Sequence, residues 1–231
     1  MRIHTVQWNI GGGKICDPNA PLQDRTYDRD GMDHIIGTLV RLRPDFIALQ
    51  EAHADGKRIQ SREIATALRY RYVANDLLSI SHIEPGQRLS LAIISRWPID
   101  AHKFTCYPRV DLGLRSPDGK PLLYHDKGVT DCQVRLGSTS VNVMTCHSVA
   151  FHVFGLDPYA PKFEKLREAV TRHACPRGGG KGFASATSTS TNQHCSATLW
   201  HPSGSVVRAR CLLQGQRAPM AGIPIMWCTT A

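Results

Sequence analysis

No acidic residue follows Glu168 in this 231-residue chain. Residues 175–231 hold five basic side chains (Arg177, Lys181, Arg208, Arg210, Arg217) and no carboxylate. That stretch can supply neither an acidic metal ligand nor a carboxylate acid or base. The eight cysteines (16, 106, 132, 146, 175, 195, 211, 228) form no CxxC and no regular spacing. Several lie in apolar strand-like runs, where a reduced thiol acts as a small hydrophobe, so no disulfide framework is read. No apolar run reaches membrane-spanning length, and the segment after Met1 enters a strand pattern without a charged-then-apolar leader. The expectation is a cytoplasmic protein without a membrane span.

Hydrophobic residues make up 42% of the chain, enough for a sizeable core. The net charge of +9 divides into +4 before residue 175 and +5 after it. A mildly basic body suits an anionic partner such as a phosphate ester.

The most informative stretch is Pro44-Asp45-Phe46-Ile47-Ala48-Leu49-Gln50-Glu51. Residues 46–49 are apolar without alternation, as in a strand covered on both faces. Such a strand has no structural need to end in an acid, which is costly at a sheet mouth unless paired or holding a metal. A helical stripe over 30–42 precedes it and ends at Arg43-Pro44, because the residue before proline avoids the α region. A second helix is expected over 61–68 and an extended segment over 71–80. A buried strand covers 89–94, and a hairpin joins 132–136 to 141–145. An amphipathic helix closes the regular region over 162–173.

Gly11-Gly12-Gly13-Lys14 invites a phosphate-loop reading. The lysine is followed by Ile15, and Asp17-Pro18 breaks the chain where that motif opens a helix. The glycines instead permit a tight turn beside a site. Three strand ends then carry residues of catalytic type: Asn9, Glu51 and His147.

Four pieces occur in a telling order: Val6-Gln7-Trp8-Asn9-Ile10, the strand ending Gln50-Glu51, Leu91-Ala92-Ile93-Ile94-Ser95-Arg96-Trp97-Pro98-Ile99, and Val141-Asn142-Val143-Met144-Thr145-Cys146-His147. Over residues 1–173 the chain resembles the endonuclease/exonuclease/phosphatase superfamily. The resemblance implies an α/β fold, a two-sheet sandwich flanked by helices, with the site at one end. It implies that Glu51 ligates a divalent metal, Mg²⁺ or Mn²⁺, with Asn9 beside it. His147 would bind the phosphate or steady charge developing on it, and Arg96 would contact phosphate. Mg²⁺ favours oxygen ligands and few protein carboxylates, and a histidine can give a proton or charged hydrogen bond to the same centre. The implied activity is hydrolysis of a phosphodiester or phosphomonoester, with nucleic acid among the substrates. Substrate preference is expected in loops at 14–29, 100–126 and 148–160.

The chain departs from that family where Thr145-Cys146-His147 stands for Asn-Thr-His. More seriously, no Gly-Asp-x-Asn and no Ser-Asp-His segment exists. Residues 174–231 read instead as a low-complexity basic tail, with Gly178-Gly179-Gly180 and a Ser/Thr run at 187–191. Among the codons that residues 185–191 allow, the choice TCG GCG ACT TCA ACA TCG AC would encode Gly-Asp-Phe-Asn-Ile-Asp when read from the third base. In the same alternative frame, ATT CCG ATC AT at 223–226 encodes Ser-Asp-His. A frameshift around residues 174–182 would account for both losses, and the expectation is a fold incomplete at its C-terminus with little turnover. The competing reading is a non-catalytic basic nucleic-acid-binding protein. Phe183, Trp200 and Trp227 are few aromatics for a single-strand platform.

Overall fold

The computed structural model describes residues 3–15, 28–113, 126–149 and 151–174. Beyond these it describes the backbone of Gly182–Thr187, Thr198–Trp200, Val206–Arg208, Arg210–Cys211 and Met226–Trp227. The glycines at 178–180, the run at 188–191 and residues 223–225 lie outside the described residues, as do 16–27 and 114–125 of the expected loops.

In chain order the elements are β1 (Thr5–Asn9), β2 (Lys14–Ile15), β3 (Arg29–Asp30), α1 (Met32–Leu42), β4 (Phe46–Ala54), α2 (Gln60–Leu68), β5 (Tyr72–Ile80) and β6 (Arg88–Ser95). They continue with β7 (Ile99–Cys106), β8 (Gly128–Leu136), β9 (Thr139–His147), α3 (Glu164–Ala174) and β10 (Gly182–Thr187). One sheet has the order β1-β4-β6-β5 and the second β10-β9-β8-β7. β1 runs parallel to β4, and β10 parallel to β9; the other pairs in the two sheets are antiparallel.

The apolar run of β4 is covered on both faces, as its sequence requires. Ile47 and Leu49 pack with Val6, Trp8, Leu39 and Ile64 beneath α1 and α2. Phe46 meets Ile93, Cys132, Val134 and Val143 between the sheets. Complete burial of such aliphatic side chains contributes about 2 kcal/mol each. The outer face of the second sheet carries Val129, Met144 and Cys146 against Phe163 and Leu166 at the start of α3. The result is a layered helix–sheet–sheet–helix sandwich.

Helix ends follow local chemistry. Met32 N donates to Asp30 Oδ1 at 2.9 Å, which opens α1. Arg43 adopts the left-handed conformation (φ 44°), and its N–H donates to Leu39 O before Pro44 turns the chain into β4. Cys106 and Cys132 are free thiols, and burial pushes Cys132 up to about 12, so it packs as an apolar group.

One expectation is corrected. Residues 99–106 belong to β7 and not to a loop. This strand is the edge of its sheet in the described structure and its side chains are mostly exposed, so Asp100, His102 and Lys103 interrupt any apolar alternation.

Candidate active site

The topology brings three of the four expected residues to one end of the sandwich. Parallel pairing places Asn9, the last residue of β1, opposite Gln50 and so next to Glu51; the strand expected to end at Glu51 instead runs on to Ala54 past an irregularity of register. In the second sheet β9 finishes at His147, opposite Gly128. The two sheets are tied there by Gln50 Nε2, which donates to Thr145 Oγ1.

Strand alternation alone would turn Gln50 and Glu51 to opposite faces. Glu51 avoids this by adopting φ 52°, at an irregularity of register between Leu49 and Ala52. Its Oε1 consequently lies 3.3 Å from His147 Nε2, with both side chains largely buried. A left-handed conformation is unfavourable for glutamate by about 1–2 kcal/mol. This strain sits at the acid that meets His147 across the gap between the sheets.

Behind the histidine lies a residue that sequence reasoning missed. Lys127 is buried, with Nζ 2.9 Å from His147 Nε2 and 3.2 Å from Nδ1. Burial pushes its ammonium down to about 8, against the opposing pull of the Glu51 carboxylate. No carboxylate among the described residues lies within 4 Å of it. The signal available in the sequence was Lys127-Gly128 entering β8 opposite the end of β9. Gly128 is required there, because an added Cβ would fall 2.6 Å from Thr105 O.

Asn9 is set by the glycine turn that follows it. Its Oδ1 accepts from Gly11 N at 3.0 Å. Gly11, Gly12 and Gly13 all have positive φ, so the tight turn expected from the sequence is present. An added Cβ on Gly12 would fall 2.2 Å from Cε1 of His53. Gln60 braces the turn from below, donating from Nε2 to Gly12 O and accepting from His53 N, both at 2.7 Å. Ser81 Oγ accepts from Ile83 N and Glu84 N, which leaves its own proton for His53 Nε2 at 2.7 Å. That network assigns the His53 proton to Nδ1, on the side of Glu84. Burial lowers the pKa of His53.

Arg96 is not brought to this cluster. It follows Ser95, which pairs with Phe46 at the opposite end of β4 from Glu51. Its Nη1 donates to Asp45 Oδ1 at 2.9 Å, and Asp45 Oδ2 accepts from His4 N at 2.8 Å. The Ser-Arg-x-Pro piece therefore fastens the far end of the sheet, and the phosphate contact expected of Arg96 is withdrawn.

The donors at the site suit a hard cation held loosely. Glu51 offers a carboxylate and Asn9 an amide oxygen with one lone pair already engaged. No group of three His, Cys, Asp or Glu side chains that could hold a metal occurs among the described residues. Gln50 Oε1, next to Glu51 in sequence, is buried with no hydrogen-bond partner. Mg²⁺ keeps several waters and uses one or two carboxylates, so an oxygen set of this size fits it better than a closed protein cage would.

A two-sheet α/β sandwich with an acid, an amide and a histidine at one end is the fold and site class these observations define. The Endonuclease/Exonuclease/phosphatase family model matches residues 6–180, and the chain belongs to that family. Among solved structures, it is similar to an endonuclease/exonuclease/phosphatase from Beutenbergia cavernae. That match has 17% identity and a TM-score of 0.57, covering 79% of this chain and 46% of the other. A family protein from Leptotrichia buccalis matches with 11% identity and a TM-score of 0.51, covering 79% and 66%. The chain thus spans about half of the first relative's length and two thirds of the second's. No curated protein matches it by sequence.

Proposed function

We propose that this chain carries the metal and phosphate half of a divalent-metal-dependent phosphoesterase, acting on a phosphodiester or phosphomonoester. The observation that supports this most directly is the 3.3 Å approach of Glu51 to His147 across the two sheets, with the Lys127 ammonium behind the ring. Glu51 and Asn9 would hold Mg²⁺ or Mn²⁺ at the mouth of the first sheet. Such an ion supplies charge neutralisation at a phosphoryl oxygen and orients the attacking group.

The remaining work falls to this chain's own residues. His147 faces the same space and can donate a hydrogen bond to a phosphoryl oxygen. Lys127 places a positive charge next to that donor in a water-poor setting, where it stabilises charge more strongly than it would in water. In the metal-free protein the Glu51 carboxylate partly compensates Lys127. A cation bound at Glu51 would take up that carboxylate, and the lysine would then favour an anion. The buried pair is therefore poised for a phosphate that arrives with its metal.

Turnover is proposed to be low. Residues 169–231 contain no carboxylate, so nothing in that stretch can hold an attacking water or remove its proton as an aspartate would. The parallel register sets Thr187 beside His147. The alternative reading frame puts the aspartate of Gly-Asp-Phe-Asn at about positions 186–187, which supports a frameshift as the origin of the present tail. The nucleotide sequence tests that part directly: codons at 185–191 that do not read Gly-Asp-x-Asn in the other frame end it.

Binding experiments test the site independently of turnover. Electron paramagnetic resonance should detect one bound Mn²⁺ that is lost in Glu51→Gln. Hydrolysis of bis(p-nitrophenyl) phosphate should be close to background in both proteins. A brisk Mg²⁺-dependent rate abolished by Glu51→Gln would refute the impairment while upholding the site. Unchanged Mn²⁺ binding in Glu51→Gln would refute the site.

A further inference from the structure

A second concavity lies next to the strand pair that carries Lys127, and its chemistry is basic. A cleft of about 380 Å³ opens between residues 108–113, which follow β7, and the approach to α3. It is lined by Arg109, Asp111 and Gly113 on one side and by Lys162 and Lys165 on the other. We infer that this cleft is a second phosphate subsite, in which Lys162 and Lys165 take a further phosphate of the substrate whose reacting phosphate meets His147 and Lys127.

The position of the cleft links it to the candidate active site. Tyr107 N donates to Lys127 O at 2.7 Å, so the wall that begins at Pro108 leaves the sheet directly beside the buried lysine. Arg109 grips Asp126, the residue before Lys127, through a two-point contact at 2.8 and 3.2 Å. The same backbone therefore forms the edge of one site and the wall of the other.

The charges in the cleft are unevenly satisfied. Arg109 is neutralised by Asp126. Asp111, the one carboxylate in the lining, accepts from Gly113 N at 2.7 Å. Lys162 and Lys165 have no carboxylate within 4 Å among the described residues. Lys162 is nonetheless held in place, with Nζ 4.9 Å from the centre of the Phe163 ring and 3.8 Å from the position of a Cβ on Gly113. It is exposed to solvent and lies over the cleft towards the loop at Gly113.

An isolated surface lysine needs no partner. Two like charges three residues apart repel each other, however, and a concave wall adds their potentials. A phosphate between them relieves that repulsion and becomes the missing counter-charge. Volumes of a few hundred Å³ are those of small-ligand clefts. A substrate with one phosphate would leave this subsite empty, whereas a nucleic-acid strand or an inositol polyphosphate presents a second.

This inference rests on the phosphoesterase reading for the identity of the substrate, but its test does not use turnover. Binding of a 5′-phosphorylated DNA pentanucleotide, of inositol hexakisphosphate and of inorganic phosphate is measured by calorimetry and anisotropy, with and without Mn²⁺. The proteins compared are wild type, Lys162→Gln/Lys165→Gln and Glu51→Gln. The double variant should bind the pentanucleotide about 10-fold more weakly at low salt. The slope of log affinity against log salt should fall by about 1 to 2. Mn²⁺ binding should be unchanged. A loss confined to the hexakisphosphate would assign the second phosphate to a compact polyphosphate and keep the subsite. Equal affinities in wild type and double variant for both polyanions would overturn it. Failure of Glu51→Gln to affect Mn²⁺ would instead remove the metal reading, leaving the lysine comparison to be read without metal.

Discussion

Lys127 Nζ lies 2.9 Å from His147 Nε2, and both residues are largely buried. An ammonium so placed is held mainly by geometry, because its desolvation opposes the charge it carries. The pair is the part of the site with the clearest physical signature.

The Lys127 shift makes a stability prediction with a definite sign. Its folded pKa of about 8 lies below the ordinary 10.5, so the unfolded chain binds the proton more tightly. Folding is penalised below pH 8, and stability rises as pH moves from about 8 to 10.5. The full relief is about 3 kcal/mol at 1.36 kcal/mol per pH unit. Urea midpoints at pH 7 and pH 10 should show a gain in wild type that is absent in Lys127→Met. An equal pH response in the two proteins would show that the lysine is not desolvated.

Arg96 should behave as a structural residue. Arg96→Ala leaves the largely buried Asp45 with its hydrogen bond from His4 N but without its cation, at a cost of about 1 kcal/mol. Thermal denaturation should record that loss, while Mn²⁺ and inorganic phosphate binding stay as in wild type. Weaker phosphate binding by a folded Arg96→Ala protein would return the residue to the site.

Gly12 should tolerate no side chain. Gly12→Ala combines a left-handed φ of 66° with a Cβ 2.2 Å from the His53 ring. The two effects together should cost about 2–4 kcal/mol. A matching loss of Mn²⁺ affinity is expected, since Asn9 is fixed by its bond to Gly11 N. The control is Gly37→Ala, where an added Cβ meets nothing within 4 Å and the helix should gain slightly.

Chelation should distinguish site from scaffold. The metal is proposed to sit at the sandwich mouth on one carboxylate, outside the apolar layers that hold the fold together. Removing it with EDTA should lower the melting temperature by no more than the linkage expected for a weak site. Collapse of the fold on chelation would contradict this placement.

Much of this architecture was legible before the structure. The covered strand 46–49, the helix ended by Arg43-Pro44 and the hairpin into His147 all follow from apolar periodicity and turn chemistry, which are local. What escaped was non-local or unpatterned. β7 is an exposed edge whose polar residues carry no strand period. Lys127 precedes a strand start, and only the pairing of Gly128 with His147 makes it part of the site. Arg96 was misplaced for the complementary reason: a motif fixes the order of residues along the chain but not the end of the sheet at which each one emerges. The left-handed φ of Glu51 was equally invisible, because nothing in its side chain favours that conformation.

That backbone angle places the chain's stability and its chemistry in opposition at a single codon. Glycine at 51 would relax the strained φ but also strip Lys127 of the carboxylate that partly compensates it, so in a Lys127→Met background Glu51→Gly should melt higher than its parent even as it discards the proposed metal ligand.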